Sequence, residues 1–427
     1  MTTAQRKSSE GSYFPLIALN KGLDFLLIPV VCFVIFIKTY ELIDLNLFII
    51  AVALVYTTRS LVAGRFALDA QVNWLDVSVL IVTLVEVSSY AASSYQTNSL
   101  HYLAEALLLF FFYCLVRFNL SHDYQRTLIF IGLSLLGLWI SSRALYSFWR
   151  HYDRLNAVGF NDPGDFKHLL GLVGPDYYAT GERITVLLLL LPFPLILFFK
   201  LTKWKLIRLL FLGPVLTILL ALSVTFSRAV YVGAITFFLL GSLFCYRYKL
   251  LPAKRLVISN LLLGLVLSAC LIPLAKPALT TLLLIKTESQ VRSVEGRVHL
   301  WSASVELARR HPAIGVGHYN FPMRYAAYTE DHSAFVASTF NYFLQILVEK
   351  GVLGLLAYCF LLLVVFKTSA MNIKAARSEF CRIAIILFMA AIAAVIVRDL
   401  TYSSIFINKG ANALLWFMVA GNARRFE

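Results

Sequence analysis

Apolar runs of 15 to 22 residues recur along nearly the whole chain, and charged positions are confined to the gaps between them. A helix rises about 1.5 Å per residue and a hydrocarbon core is about 30 Å thick, so each run is long enough to cross it. The pattern predicts an all-α polytopic membrane protein of about twelve transmembrane helices, in which residues 1–427 form a single integral membrane domain. The spans fall near 23–38, 45–62, 74–91, 102–117, 127–148, 184–200, 206–224, 229–246, 256–275, 351–367, 380–397 and 403–421. The first follows Arg6, Lys7 and Lys21 without a small-residue cleavage site, so it reads as a retained helix.

Charge fixes an expected orientation. Gaps after even-numbered spans hold Arg59 and Arg65, then Arg117 and Arg126, then Lys200, Lys203, Lys205 and Arg208, then Arg247, Lys249, Lys254 and Arg255, then Lys367, Lys374, Arg377 and Arg382. The short gaps after the first and third spans hold one basic residue between them, Lys38. By the positive-inside rule the basic gaps and both termini face the cytoplasm. Two long segments, 149–183 and 276–350, are left on the outer, periplasmic face. Loops of that length call for a functional reason.

Composition narrows the function classes. With 59% hydrophobic residues the chain is far from a soluble domain. The formal charge of +15 is dispersed through short loops rather than gathered in one stripe, which argues against a nucleic-acid partner. Six cysteines (Cys32, Cys114, Cys245, Cys270, Cys359 and Cys381) lie in or beside apolar runs with no CxxC spacing, so they indicate neither a disulfide framework nor a zinc site. Asp162 and Asp165 stand in a Pro-Gly turn and make only a weak metal motif, so no metal and no cofactor are expected.

The second outer segment carries the most distinctive sequence. Val298, Trp301, Val305, Leu307 and Ala308 form a helical stripe over about 297–310, which Pro312 ends, and Gly315 and Gly317 follow as a turn. Phe340, Phe343, Leu344, Leu347 and Val348 predict a second helix over about 336–349, ending at Gly351. The first outer segment, from Asn161 through Tyr178 to Arg183, is rich in turn residues and aromatics that suit either sugar contacts or plain turns.

Five pieces then stand in a particular order. They are Ser227-Arg228 at the outer end of the seventh span, Gly296-Arg297 with Trp301, His311-Pro312-x-x-Gly315-x-Gly317, Asn320-Phe321, and Asn341-Tyr-Phe-Leu-Gln345 followed by Glu349-x-Gly351-x-x-Gly354. This layout resembles the O-antigen ligase and polymerase superfamily, membrane glycosyltransferases of the GT-C class, over about residues 180–400. The resemblance implies an inner-membrane enzyme with a periplasmic active site. Its donor would be a glycan on undecaprenyl pyrophosphate, its acceptor a lipid or glycan, and its other contacts membrane lipids.

The resemblance also implies roles for residues. Negative charge grows on the departing pyrophosphate, and a planar guanidinium binds two of its oxygens at once, so Arg228 and Arg297 are the expected clamp. A snorkelling interfacial arginine and a solvated first-turn arginine are the plain alternatives. Family ligases also use a histidine to activate the acceptor, but the corresponding position here is Phe340, next to Asn341. His332 is the first substitute and His318 the second, with Glu330 or Asp331 as carboxylate alternatives, while His311 reads as a helix terminator. Arg183, His318, Tyr319 and Asn341 are expected to bind substrate. Ligation to a lipid A-core sugar is the leading activity and joining of lipid-linked repeats the close second. An anion transporter would instead bury charge near mid-membrane, and the first nine spans read as almost free of it.

Overall fold

The computed structural model describes residues 25–36, 38, 72–91, 93, 96–120, 122–157, 186–200, 205–225, 227–250, 288–329, 338–401 and 409–423. Among these residues the protein is all-helical, with no strand. The chain runs through α1 (Phe25–Phe36), α2 (Trp74–Ala91), α3 (Gln96–Asn119), α4 (Asp123–Ala157), α5 (Val186–Lys200), α6 (Lys205–Leu210), α7 (Leu212–Ser223) and α8 (Arg228–Arg247). It continues through α9 (Glu288–Arg310), α10 (Phe321–Thr329), α11 (Tyr342–Ala375), α12 (Glu379–Asp399) and α13 (Lys409–Ala423). Five of the described helices, α2, α4, α8, α11 and α12, are long and apolar enough to span a bilayer. The expected spans near 45–62 and 256–275 lie outside the described residues.

Local chemistry sets several boundaries. Asn73 caps α2, its Oδ1 accepting from the amides of Leu75 (2.9 Å) and Asp76 (3.0 Å), while Asp76 Oδ2 accepts from the Asn73 amide (3.0 Å). Ser378 Oγ accepts from the Cys381 amide (3.1 Å) at the start of α12. Other boundaries differ from the sequence expectation. Residues 149–157 continue α4 rather than opening a loop, because Arg150, Asp153 and Arg154 interrupt hydropathy without opposing helix formation. The seventh span is broken at Phe211 into α6 and α7. α9 begins at Glu288, well before its apolar stripe, and α10 occupies a stretch between the two expected helices. The helix expected from 336 begins instead at Tyr342, because Phe340 takes a left-handed φ of 52° and Asn341 Oδ1 accepts from the Leu344 amide (2.9 Å) as the cap.

One apolar core runs through the bundle, with α8 against α12, α2 against α11, α4 against α7 and α3 against α13. α12 is buried nearly all round, from Ile383 to Val395, which makes it the central helix. Gly233 lets α8 approach it closely, since an added Cβ would meet the Ala394 carbonyl at 3.2 Å.

The two ends of the bundle differ in chemistry. At one end Asp76 accepts from Tyr113 (2.6 Å) and Arg117 (3.2 Å), Lys200 donates to Asp123 (2.7 Å) and lies over the Phe380 ring, and Arg382 donates to the Ala376 carbonyl (2.9 Å). The described basic gaps after the fourth, sixth and tenth spans therefore share one end, as an alternating topology requires. The last residues of α2 and α12 and the first of α8 and α11 gather at the other end.

Candidate functional site

The second end is organised by a break in α11. Gly351 adopts φ 65° and ψ −168°, which interrupts the helix and leaves backbone groups on both sides without helical partners. The chain after α9 fills them. Val316 donates to the Val348 carbonyl (2.9 Å) and Gly317 to that of Glu349 (3.0 Å), while Val352 donates to Pro312 (2.8 Å) and Leu353 to Ala313 (3.3 Å). The segment from Pro312 to Gly317 is thus clasped into the helix break.

Gly315 and Gly351 stand back to back in this clasp. Gly315 has φ 78°, and a Cβ there would overlap the Glu349–Lys350 peptide; one on Gly351 would overlap the Ala313 carbonyl. The spacing of the two glycine-containing motifs thus has a steric cause. Gly351→Ala should destabilise the protein by at least the roughly 1–3 kcal/mol that a side chain costs in such a backbone region, read as a lower Tm in detergent. Gly213→Ala, where an added methyl meets open space inside α7, should leave Tm unchanged or raise it.

Beneath the clasp lies a buried charged cluster. Glu86 of α2 is 5% exposed and is held by three donors from other segments. His318 Nδ1 is 2.5 Å from its Oε2, Tyr358 donates to Oε1 at 2.6 Å, and the fully buried Lys350 ammonium pairs with the same oxygen. Lys350 also reaches the Tyr358 hydroxyl (3.2 Å) and lies 4.8 Å over its ring. A carboxylate inside an apolar bundle is tolerated only with such partners.

This corrects the expectation that the first nine spans are almost free of charge. Glu86 in α2 and Glu105 in α3 are both buried and ion-paired, Glu105 with Lys38 at 3.7 Å. Glu86 and Lys350 were also the functional candidates the sequence reading missed. The available signal was Glu86, a lone carboxylate stranded in an apolar run, which calls for a buried cationic partner.

Polar contacts continue toward α9. Ser89 donates to the Glu349 carbonyl (2.9 Å), and Asn320 donates to the Ser93 hydroxyl. Gln345 Nε2 donates to Glu349 Oε1 (2.7 Å), and Gln345 Oε1 accepts from the Thr339 amide (2.7 Å). Trp301 Nε1 of α9 donates to the Thr339 carbonyl (2.8 Å), joining the two motif helices. Loss of that donor in Trp301→Phe leaves a partly buried carbonyl unsatisfied, and a stability loss of about 1–3 kcal/mol is expected in thermal unfolding.

The expected site residues distribute as follows. Arg297 is half-buried on α9, with its guanidinium 5.6 Å from the centre of the Phe340 ring. The phenylalanine at the position expected to hold a histidine therefore packs against one of the expected clamp arginines. Asn341 spends Oδ1 on the α11 cap and Nδ2 on the Leu400 carbonyl (2.9 Å), so its amide ties α11 to the end of α12. Arg228 is half-buried at the first position of α8. About a turn and a half further along α8, Gly233 packs against Arg398, which pairs with Asp399 at 3.1 Å. Arg228 and Arg297 thus stand at the same end of the bundle, linked through Phe340, Asn341, Leu400 and Arg398. His318 and Tyr319 lie in the turn after the clasp, Tyr319 at φ 60°. His332 and Arg183 fall outside the described residues.

These features define a helical membrane protein with a polar, cation-bearing site at one end of an apolar bundle. Residues 213–359, which include both arginines, the clasp and Lys350, match the family model described as O-antigen ligase. The match supports the resemblance to the O-antigen ligase and polymerase superfamily. No curated protein matches the chain.

Proposed function

We propose that the protein transfers a glycan from undecaprenyl pyrophosphate to a lipid A-core acceptor at the periplasmic face, without a metal. Arg228 and Arg297 hold the pyrophosphate as it leaves. The carrying observation is that two half-buried arginines, remote in sequence, stand at one end of the bundle within the stretch that matches the O-antigen ligase family. Two guanidiniums can each bind a pair of phosphoryl oxygens while charge accumulates there, which lowers the barrier most when water is excluded. That the described basic gaps share the opposite end supports a periplasmic site by the charge rule.

A second reading is polymerisation, in which the acceptor is another lipid-linked repeat. It is favoured by Phe340, which occupies the expected histidine position and packs on Arg297. An anion carrier is disfavoured by charge balance: the buried Lys350 ammonium is already matched by Glu86, which leaves it no net positive charge to offer a passing anion.

Complementation of cells lacking either the ligase or the polymerase separates the two readings, with lipid-linked glycan and lipopolysaccharide resolved on a gel. The ligase reading predicts restored laddered lipopolysaccharide in the ligase-deficient cells. Restoration confined to polymerase-deficient cells would establish the alternative.

A further inference from the structure

Phe340 takes a backbone conformation that bulky side chains rarely adopt, at φ 52°, and its ring lies 5.6 Å from the Arg297 guanidinium. A residue stays in that region only where its surroundings fix it, and such positions gather at functional sites. Resting on the reading of Arg297 as one arm of the pyrophosphate clamp, we propose that Gln345 is a positioning residue of Arg297. It acts through the Thr339–Phe340 turn, and Glu349 sets the direction in which its amide points.

Gln345 is 2% exposed, in the first turn of α11, and both ends of its amide are used. Its Nε2 donates to Glu349 Oε1 one turn further along, and its Oε1 accepts from the Thr339 amide, each at 2.7 Å. A side-chain amide has nearly the same shape either way round, so its partners choose the orientation. Here Glu349 Oε1 accepts and the Thr339 N–H donates, which only the observed orientation satisfies. Reversal would set donor against donor and acceptor against acceptor inside the protein, where unmade hydrogen bonds cost most.

Thr339, itself fully buried, passes this constraint to the clamp. Beyond its amide, its carbonyl accepts from Trp301 Nε1 (2.8 Å) and its hydroxyl donates to the Asn341 carbonyl (2.8 Å). Asn341 is fixed in turn as the cap of α11, so Phe340 is held from both sides. Arg297 and Trp301 are four residues apart and therefore share a face of α9. They meet neighbouring residues of the same turn, Trp301 at the Thr339 carbonyl and Arg297 at the Phe340 ring. The ring offers the guanidinium a flat surface that restricts a long, flexible side chain. An arginine oriented before the pyrophosphate departs needs no rearrangement as charge develops.

The test follows glycan transfer against donor concentration by the full chain in lipid vesicles, with an undecaprenyl-pyrophosphate-linked glycan and an acceptor, normalised to inserted protein. Gln345→Leu should lower kcat about tenfold to a hundredfold with KM near the wild-type value, the pattern of a misplaced transition-state contact. On the Arg297→Ala background the same change should cost no more than about twofold further, because residues that act through one another are not additive. Exchanging the pair, Gln345→Glu with Glu349→Gln, keeps both hydrogen bonds, with residue 345 now accepting from residue 349 as well as from Thr339. It should regain most of the lost rate, whereas Gln345→Glu alone sets two carboxyl groups side by side and should not. Near-normal kcat in Gln345→Leu, the full loss repeated on the Arg297→Ala background, or an exchange variant that regains Tm without kcat would overturn the proposal and leave the clamp standing. Wild-type kcat in Arg297→Ala would instead overturn the clamp on which it rests.

Discussion

Arg228→Ala and Arg297→Ala should each lower glycan transfer about a hundredfold to a thousandfold, the loss typical of a single donor that meets charge developing in the transition state. The loss should appear in kcat rather than in KM, because the clamp acts most strongly once the pyrophosphate carries its full charge. Lysine at either position should recover only part of the rate, since an ammonium cannot bind two oxygens in a fixed plane. Arg297→Lys should also weaken packing on Phe340, whose ring lies 5.6 Å from the guanidinium. Single-turnover measurements in vesicles, normalised to inserted protein, check each expectation. Near-normal kcat in both alanine variants would remove the arginines from the chemistry.

The second large effect is structural. Lys350→Met should cost about 3–5 kcal/mol, because it keeps most of the side-chain volume but leaves Glu86 as a buried carboxylate without its strongest partner. The contact residues predict where the damage spreads. Lys350 also touches Tyr358, and its backbone lies in the helix break that holds the Pro312–Gly317 segment. Loss of the ammonium should therefore loosen that clasp as well as lower Tm. Hydrogen exchange at the Val316 and Gly317 amides, which donate into the break, should rise in step. The double variant Lys350→Met with Glu86→Gln should recover a large part of the stability, since it removes the unmatched charge while keeping hydrogen-bonding capacity.

Much of the architecture was legible because hydropathy and helix length are local properties. The spans near 74–91 and 380–397 correspond to α2 and α12 within a residue or two, and the break expected at Gly351 is present. Boundaries governed by polar residues were not legible from apolar stripes. α4 extends to Ala157 through charged residues, and α9 begins at Glu288, ahead of its first apolar stripe position. The backbone clasp joins Pro312–Gly317 to Val348–Leu353 across a long stretch of chain, so its two glycine motifs could be seen in the sequence but not their mutual fit.

The candidate site was legible only in part, for a similar reason. Arg228, Arg297 and Asn341 stood out through their motifs, whereas Glu86 lies in a run with no motif at all. Its meaning depends on α2 packing antiparallel to α11, which brings residue 86 to residues 318 and 350. Phe340 shows the converse. The sequence marked it as a missing histidine, and packing gives it a different task as the surface on which Arg297 rests.

The central claim is that a lipid pyrophosphate departs between Arg228 and Arg297 as its glycan moves to an acceptor. Its most direct measurement is the stoichiometry of the purified full chain in vesicles, with free undecaprenyl pyrophosphate and transferred glycan quantified in the same sample over time. The account predicts that one lipid pyrophosphate appears for each glycan transferred, and that neither product accumulates without acceptor. Glycan crossing the vesicle membrane with the donor intact would contradict it.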